Sequence, residues 1–170
     1  RTFILCIALI GGLPAAAQIS FAPPVSYATG APGAGPRAVY VADFDRDGKP
    51  DLLVLNFNAN NVAVLRGNGD GTFGAPQTFA TGSAPATGIV VDLDGDGKLD
   101  FVAANFASND ISILLGNGDG TFRPQVRIPV ASGPSSVAAG DFNGDGKLDI
   151  AVTQRVGRNI VTFLGNGDGT

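Results

Sequence analysis

One repeat governs what this 170-residue chain can fold into. Pro36, Pro85 and Pro134 recur at a spacing of 49 residues, as do Asp43, Asp92 and Asp141, then Gly67, Gly116 and Gly165. A period of this size means one supersecondary unit stacked on copies of itself, and it outranks local propensity as a guide. Each copy holds an apolar stretch (YVADF, IVVDL, VAAGDF), an acidic loop, a second apolar stretch (DLLVLNF, DFVAANF, DIAVTQ) and a third (NVAVLRG, DISILLG, NIVTFLG). In the first two copies a fourth follows the turn GNGDGTF, and the third copy runs to GNGDGT, just where a Phe would match Phe73 and Phe122. None of these stretches has helical spacing; they are short, rich in Val, Ile, Leu and Phe, and bounded by Gly and Asn, which predicts four strands per copy. Runs such as LLVL and FVAA lack polar alternation, as expected of strands covered on both faces. The expected fold is all-β: a β-propeller built of four-stranded blades of 49 residues, here about three blades, with units near 21–72, 73–121 and 122–170. Ala42, Gly88, Ala138, Ala139 and Gly140 are small residues suited to the axis where inner strands converge. Closed propellers typically have about four to eight blades, so further repeats are expected in the intact protein.

The acidic loops carry the chemistry. Asp43–Asp51, Asp92–Asp100 and Asp141–Asp149 share the pattern D-x-[DN]-x-D-G-K-x-D, and of the acidic residues, all of them Asp, only Asp70, Asp110, Asp119 and Asp168 lie elsewhere. At about 4 Å two such charges repel by roughly 4 kcal/mol even at an effective dielectric near 20, so each crowd calls for a cation. Positions 1, 3, 5 and 9 offer side-chain oxygens: Asp43, Asp45, Asp47 and Asp51; Asp92, Asp94, Asp96 and Asp100; Asp141, Asn143, Asp145 and Asp149. The carbonyls of Lys49, Lys98 and Lys147 can complete the sets. Hard oxygen donors, in a chain with no His and only Cys6, select Ca²⁺ over Zn²⁺, while Mg²⁺ demands a tighter and wetter octahedron. Gly48, Gly97 and Gly146 permit the sharp bend. An EF-hand would need Glu at position 12 between helices, where this chain has Val54, Ala103 and Val152 between strand-like flanks. An ion-free Asp-rich turn explains one such loop, but three with identical ligand spacing favour three Ca²⁺ sites. Asn143 removes a charge from the third, which is expected to bind most weakly, all three lying in the range of about 10⁻⁴ to 10⁻³ M. In GNGDGTF, Asp70, Asp119 and Asp168 could form a weaker ion site, but glycines around Asn and Asp favour a hairpin.

These loops, together with FGAP at Phe73–Pro76 and the GNGDGTF turns, resemble FG-GAP/VCBS repeats, the units of integrin-alpha-like propellers. The resemblance covers Phe21 to Thr170, although FAPP at Phe21 and FRPQ at Phe122 only approximate FGAP. It implies that each acidic loop joins the first two strands of a blade and holds Ca²⁺, and that the opposite end of the ring meets ligands.

Residues 1–17 read as a signal peptide, with Arg1 before FILCIALIGGL and cleavage expected after Ala17, leaving residues 18–170 as the exported repeat region. A membrane anchor is the alternative, but the run is short for a span and Pro14 closes it. Millimolar calcium affinity and export are mutually consistent. A net charge of −4 with no basic stripe argues against nucleic acid. No His is present to activate a Ser nucleophile, and the clustered carboxylates are already engaged as ligands, so catalysis within this segment is not expected. The expected function is an exported calcium-binding module, a binding or adhesion scaffold that presents loops to an extracellular protein or glycan. The alternative is a non-catalytic propeller region of a secreted hydrolase whose catalytic domain lies elsewhere. Strand parity places the acidic loops and GNGDG turns at one end and NFNANN, NFASND and QRVGRN at the other, where Arg155 and Arg158 are candidate contact residues.

Overall fold

The computed structural model describes residues 21–170, so the signal-peptide reading and Cys6 lie outside the described residues. Strands form where the apolar stretches predict them: β1 (Pro36–Ala42), β2 (Asp51–Asn56), β3 (Asn61–Leu65) and β4 (Gln77–Ala80) make the first sheet. The second contains β5 (Pro85–Val91), β6 (Asp100–Asn105), β7 (Asp110–Leu114) and β8 (Val126–Pro129). The third contains β9 (Pro134–Gly140), β10 (Asp149–Gln154) and β11 (Asn159–Phe163), three strands among the described residues rather than the four expected of each copy. All neighbours are antiparallel and follow chain order, the blade topology of a β-propeller. Each sheet opens on the repeated proline, where a missing N–H costs the ladder least. Among the described residues no helix is long and apolar enough to cross a membrane.

Successive residues of a strand point to opposite faces, and both faces are used. Leu53, Leu55, Val62 and Val64 of the first blade meet Phe101, Ala103, Leu114 and Phe122 of the second. Residues on the other face of the second blade, Val102, Ala104, Ile111 and Ile113, meet Val137, Ile150 and Val152 of the third. The motif aromatics knit these layers, with Phe122 edge-on to Phe44 at 5.9 Å and to Phe79 at 5.3 Å between ring centres. Burying each such side chain contributes about 1.5 to 3 kcal/mol, so blade stacking rather than strand propensity holds the arc together.

The inner strands β1, β5 and β9 lie side by side. The crowding expected there is local. Gly88 fits under the Phe101 ring, while Val39 and Val41 are 59% and 65% exposed because three blades leave the axis open. On the far side of the first blade, Tyr27 stands edge-on to Phe73 at 5.5 Å, and both pack with Leu52 against the buried Val54, Ala63 and Leu65. The corresponding far face of the third blade leaves Ile160 and Leu164 exposed.

Candidate metal centre

Each acidic loop links the first two strands of its blade, which puts position 9 at the start of β2, β6 or β10. That residue is the anchor. Asp51 is fully buried and accepts from the Phe44 N–H at 2.9 Å with one oxygen and from the Gly67 N–H at 2.8 Å with the other. Asp100 does the same with Leu93 at 2.8 Å and Gly116 at 2.7 Å, and Asp149 with Phe142 and Gly165, both at 2.9 Å. A carboxylate thus ties the loop to the following turn in every blade, a duty that ligand counting alone does not reveal. Its sequence signal was present in the repeated Gly67, Gly116 and Gly165: a side chain there would overlap the carbonyl oxygens of Pro50, Leu99 and Leu148.

Positions 1, 3 and 9 come together. In the first loop, Asp43, Asp45 and Asp51 each offer an oxygen, and the three oxygens lie within 4.8 Å of one another; Asp92, Asp94 and Asp100 repeat this in the second. Position 5 turns away: Asp47 pairs with Lys49 at 2.8 Å and Asp96 with Lys98 at 2.6 Å, which holds both carboxyls below the usual range. Burial pushes Asp45 and Asp100 up, and neighbouring carboxylates add to it: Asp51 and Asp47 act on the former, Asp94 and Asp96 on the latter. Two sets of charges that resist ionisation are what a divalent cation would relieve.

The third loop differs. Among the described residues it gathers no three carboxylates, and the Asn143 amide donates to Asp145 at 3.2 Å. Asp141 accepts N–H bonds from Gly144, Asp145 and Gly146, which lower its carboxyl. Lys147 makes no ion pair like those of Lys49 and Lys98 among the described residues.

The donor set fits a hard divalent ion. It is all oxygen, and Oδ1 of Asp92 is buried without a hydrogen-bond partner, which costs about 1 to 3 kcal/mol unless something positive meets it. The backbone N–H groups of Asp47 and Gly48 donate to Asp43, and those of Asp96 and Gly97 to Asp94 and Asp92, so the loops are wrapped around the cluster.

The GNGDGTF turns sit at the same end. Oδ1 of Asp70 accepts from both the N–H and the hydroxyl of Thr72, and Asp119 and Asp168 do likewise with Thr121 and Thr170. With Gly69 and Gly71 at φ of 82° and 86°, this is a self-satisfied hairpin turn. Blades are also latched here: Arg46 donates to the Gly97 carbonyl, Arg66 to that of Asp119, and the Gly120 N–H to the Phe44 carbonyl at 3.0 Å.

Comparison with known proteins agrees with this architecture. The family described as FG-GAP-like repeat matches residues 43–103 and 92–152. No curated protein sequence matches the chain. Among solved structures, a Tc holotoxin pore of Photorhabdus luminescens carrying a TccC3 mutation superposes with a TM-score of 0.52 at 22% identity. The alignment covers 84% of the present chain and 7% of that one, and at this identity it speaks to fold alone.

Proposed function

The chain belongs to the FG-GAP-like repeat family, and on that premise we propose that it is an exported calcium-binding β-propeller module, a scaffold for binding or adhesion. Its acidic loops hold Ca²⁺, and the loops at the opposite end meet an extracellular protein or glycan. The observation that carries the metal reading is the paired convergence of three aspartates in each of the first two loops, with Oδ1 of Asp92 buried and unpartnered.

The residues that would hold the ions are Asp43, Asp45 and Asp51 with the Lys49 carbonyl, Asp92, Asp94 and Asp100 with the Lys98 carbonyl, and Asp141, Asn143, Asp145 and Asp149 with the Lys147 carbonyl; Asp47 and Asp96 would join their sets only on leaving Lys49 and Lys98. Calcium supplies the positive charge that lets clustered carboxylates stay ionised. The chain's own part is positional: position 9 fixes the loop to the next turn, and the wrapped N–H groups aim positions 1 and 3 inward. Removal of the ion would therefore loosen the hairpin between the first two strands of each blade.

Calorimetric titration with CaCl₂ tests the metal reading. Binding with Kd in the range of about 10⁻⁴ to 10⁻³ M, abolished in the first loop by Asp45→Ala, is expected. Identical melting in calcium and in chelator would sink it.

A further inference from the structure

The end of the blades away from the acidic loops carries a second constellation, built on a repeated irregularity. Every first strand begins with a bulge, and the residue dropped from register is Arg37 in β1, Ala86 in β5 and Ser135 in β9. Bulges re-aim side chains, and they recur beside binding sites. Every second strand ends on a buried amide, Asn56, Asn105 or Gln154, and the next residue is Phe57, Phe106 or Arg155. These two positions, taken from all three blades, line one cleft of about 290 Å³ that opens to solvent. The Arg37 guanidinium lies 4.8 Å from the centre of the Phe57 ring.

Charge separates sharply along the strands. The acidic loops and GNGDG turns take every Asp but Asp110 to one end, and Asp110 is bound by Arg127. Arg37, Arg155 and Arg158 have no carboxylate within 4.0 Å among the described residues. An acidic protein therefore presents unpaired guanidinium groups at this end, two of them in a cleft floored by aromatic rings. Guanidinium forks match carboxylates in a two-point geometry, and aromatic faces beside them accept flat apolar surfaces.

The geometry points to an acidic sugar as the ligand of this cleft: a uronate residue with its carboxylate on Arg155 or Arg37 and its C–H face on Phe57 or Phe106. The open rim and the Ser135 hydroxyl suit a ring that keeps hydroxyl groups in water, which a purely aromatic acid does not offer. This inference rests on reading the chain as a module that presents its ligands at this end, and it names their chemistry.

The full 170-residue chain, at saturating calcium, would be titrated with methyl β-D-glucuronide and with methyl β-D-glucoside, followed by NMR. Expected is a glucuronide Kd on the order of 1 mM, with the glucoside at least about tenfold weaker. Arg155→Ala and Arg37→Ala should each weaken the glucuronide by about tenfold, and Arg155→Lys should recover part of the loss because the charge remains without the fork. Phe106→Ala should weaken both sugars alike, whereas Arg158→Ala, outside the cleft, should change neither. Thermal melting of each variant confirms that it folds. Equal affinity for the two sugars, wild-type affinity in both arginine variants, or acetate competing as well as the glucuronide would overturn the inference. Terbium luminescence in the same samples reports the acidic loops. Lost sugar recognition with intact metal binding overturns the cleft alone, and sugar recognition without metal binding supports the cleft while overturning the calcium reading.

Discussion

The first two acidic loops and the third share a pattern, yet they solve the same electrostatic problem differently. In the first two, three aspartates converge, the fifth position leans on a lysine, and Asp45 and Asp100 are pushed toward the neutral form. In the third, the Asn143 amide and three backbone N–H groups take up the lone pairs of Asp145 and Asp141, and the carboxyl of Asp141 falls instead. One neutral side chain lets the loop satisfy itself from within. Burial follows the same division. The motif residue after position 1 is buried as Phe44 and Leu93, but Phe142 is 52% exposed.

The largest test of this contrast is removal of the anchor. Asp51→Ala and Asp100→Ala each strand two buried N–H groups and should cost about 3 to 5 kcal/mol, since charge-assisted bonds are worth about 1.5 to 3 kcal/mol apiece. Asp149→Ala should cost less, because its N–H partners are only partly buried. Urea denaturation measures all three, and equal losses would break the comparison. Next comes the ion itself. At calcium ten times Kd, each site adds about 1.4 kcal/mol, so three sites raise the melting temperature by roughly 10 °C over chelator-treated protein. Smaller again is the charge at position 3. Asn143→Asp should tighten the third site by about tenfold and Asp94→Asn should weaken the second by a similar factor, near 1.4 kcal/mol each in calorimetry.

The smallest effect concerns pH. Thr hydroxyl and N–H donors hold Asp70, Asp119 and Asp168 below the ordinary 3.8. A lowered carboxyl stabilises the fold above its unfolded value and loses that contribution as pH falls through the folded one. Asp45 and Asp100 are raised, so in calcium-free protein they act oppositely, favouring the fold at low pH and weakening it as pH rises through their folded values. Melting between about pH 5 and pH 2 should show a shallow acid loss that Asp119→Asn diminishes. A variant curve parallel to wild type would remove the turns from this account.

Much of the architecture was legible because it is periodic. Proline at each strand entrance, apolar runs without alternation and glycine at each turn specify strands, blades and their order, and the structure places them accordingly. The meeting of positions 1, 3 and 9 in the first two loops follows from the same repeated spacing, while the third loop, with the same spacing, does not gather three carboxylates among the described residues. The turning of Asp47 and Asp96 to their lysines was not legible, since a flexible four-carbon stem leaves no trace in spacing. Nor was the anchoring duty of position 9, which depends on a turn folding back from 16 residues downstream.

The opposite end shows most clearly where sequence stops. Arg155 and Arg158 are both candidate contact residues of the QRVGRN loop by sequence, and nothing in that spacing separates them. Only the bulges and the stacking of blades bring Arg155 into a cleft with Arg37, Phe57 and Phe106 and leave Arg158 outside it. Repetition along the chain determined the strands, the blades and the acidic loops, because hydrogen-bonded hairpins and their turns are local. The tertiary structure alone decided which side chains of different blades meet, because blade packing sets those distances and no spacing within one repeat encodes it.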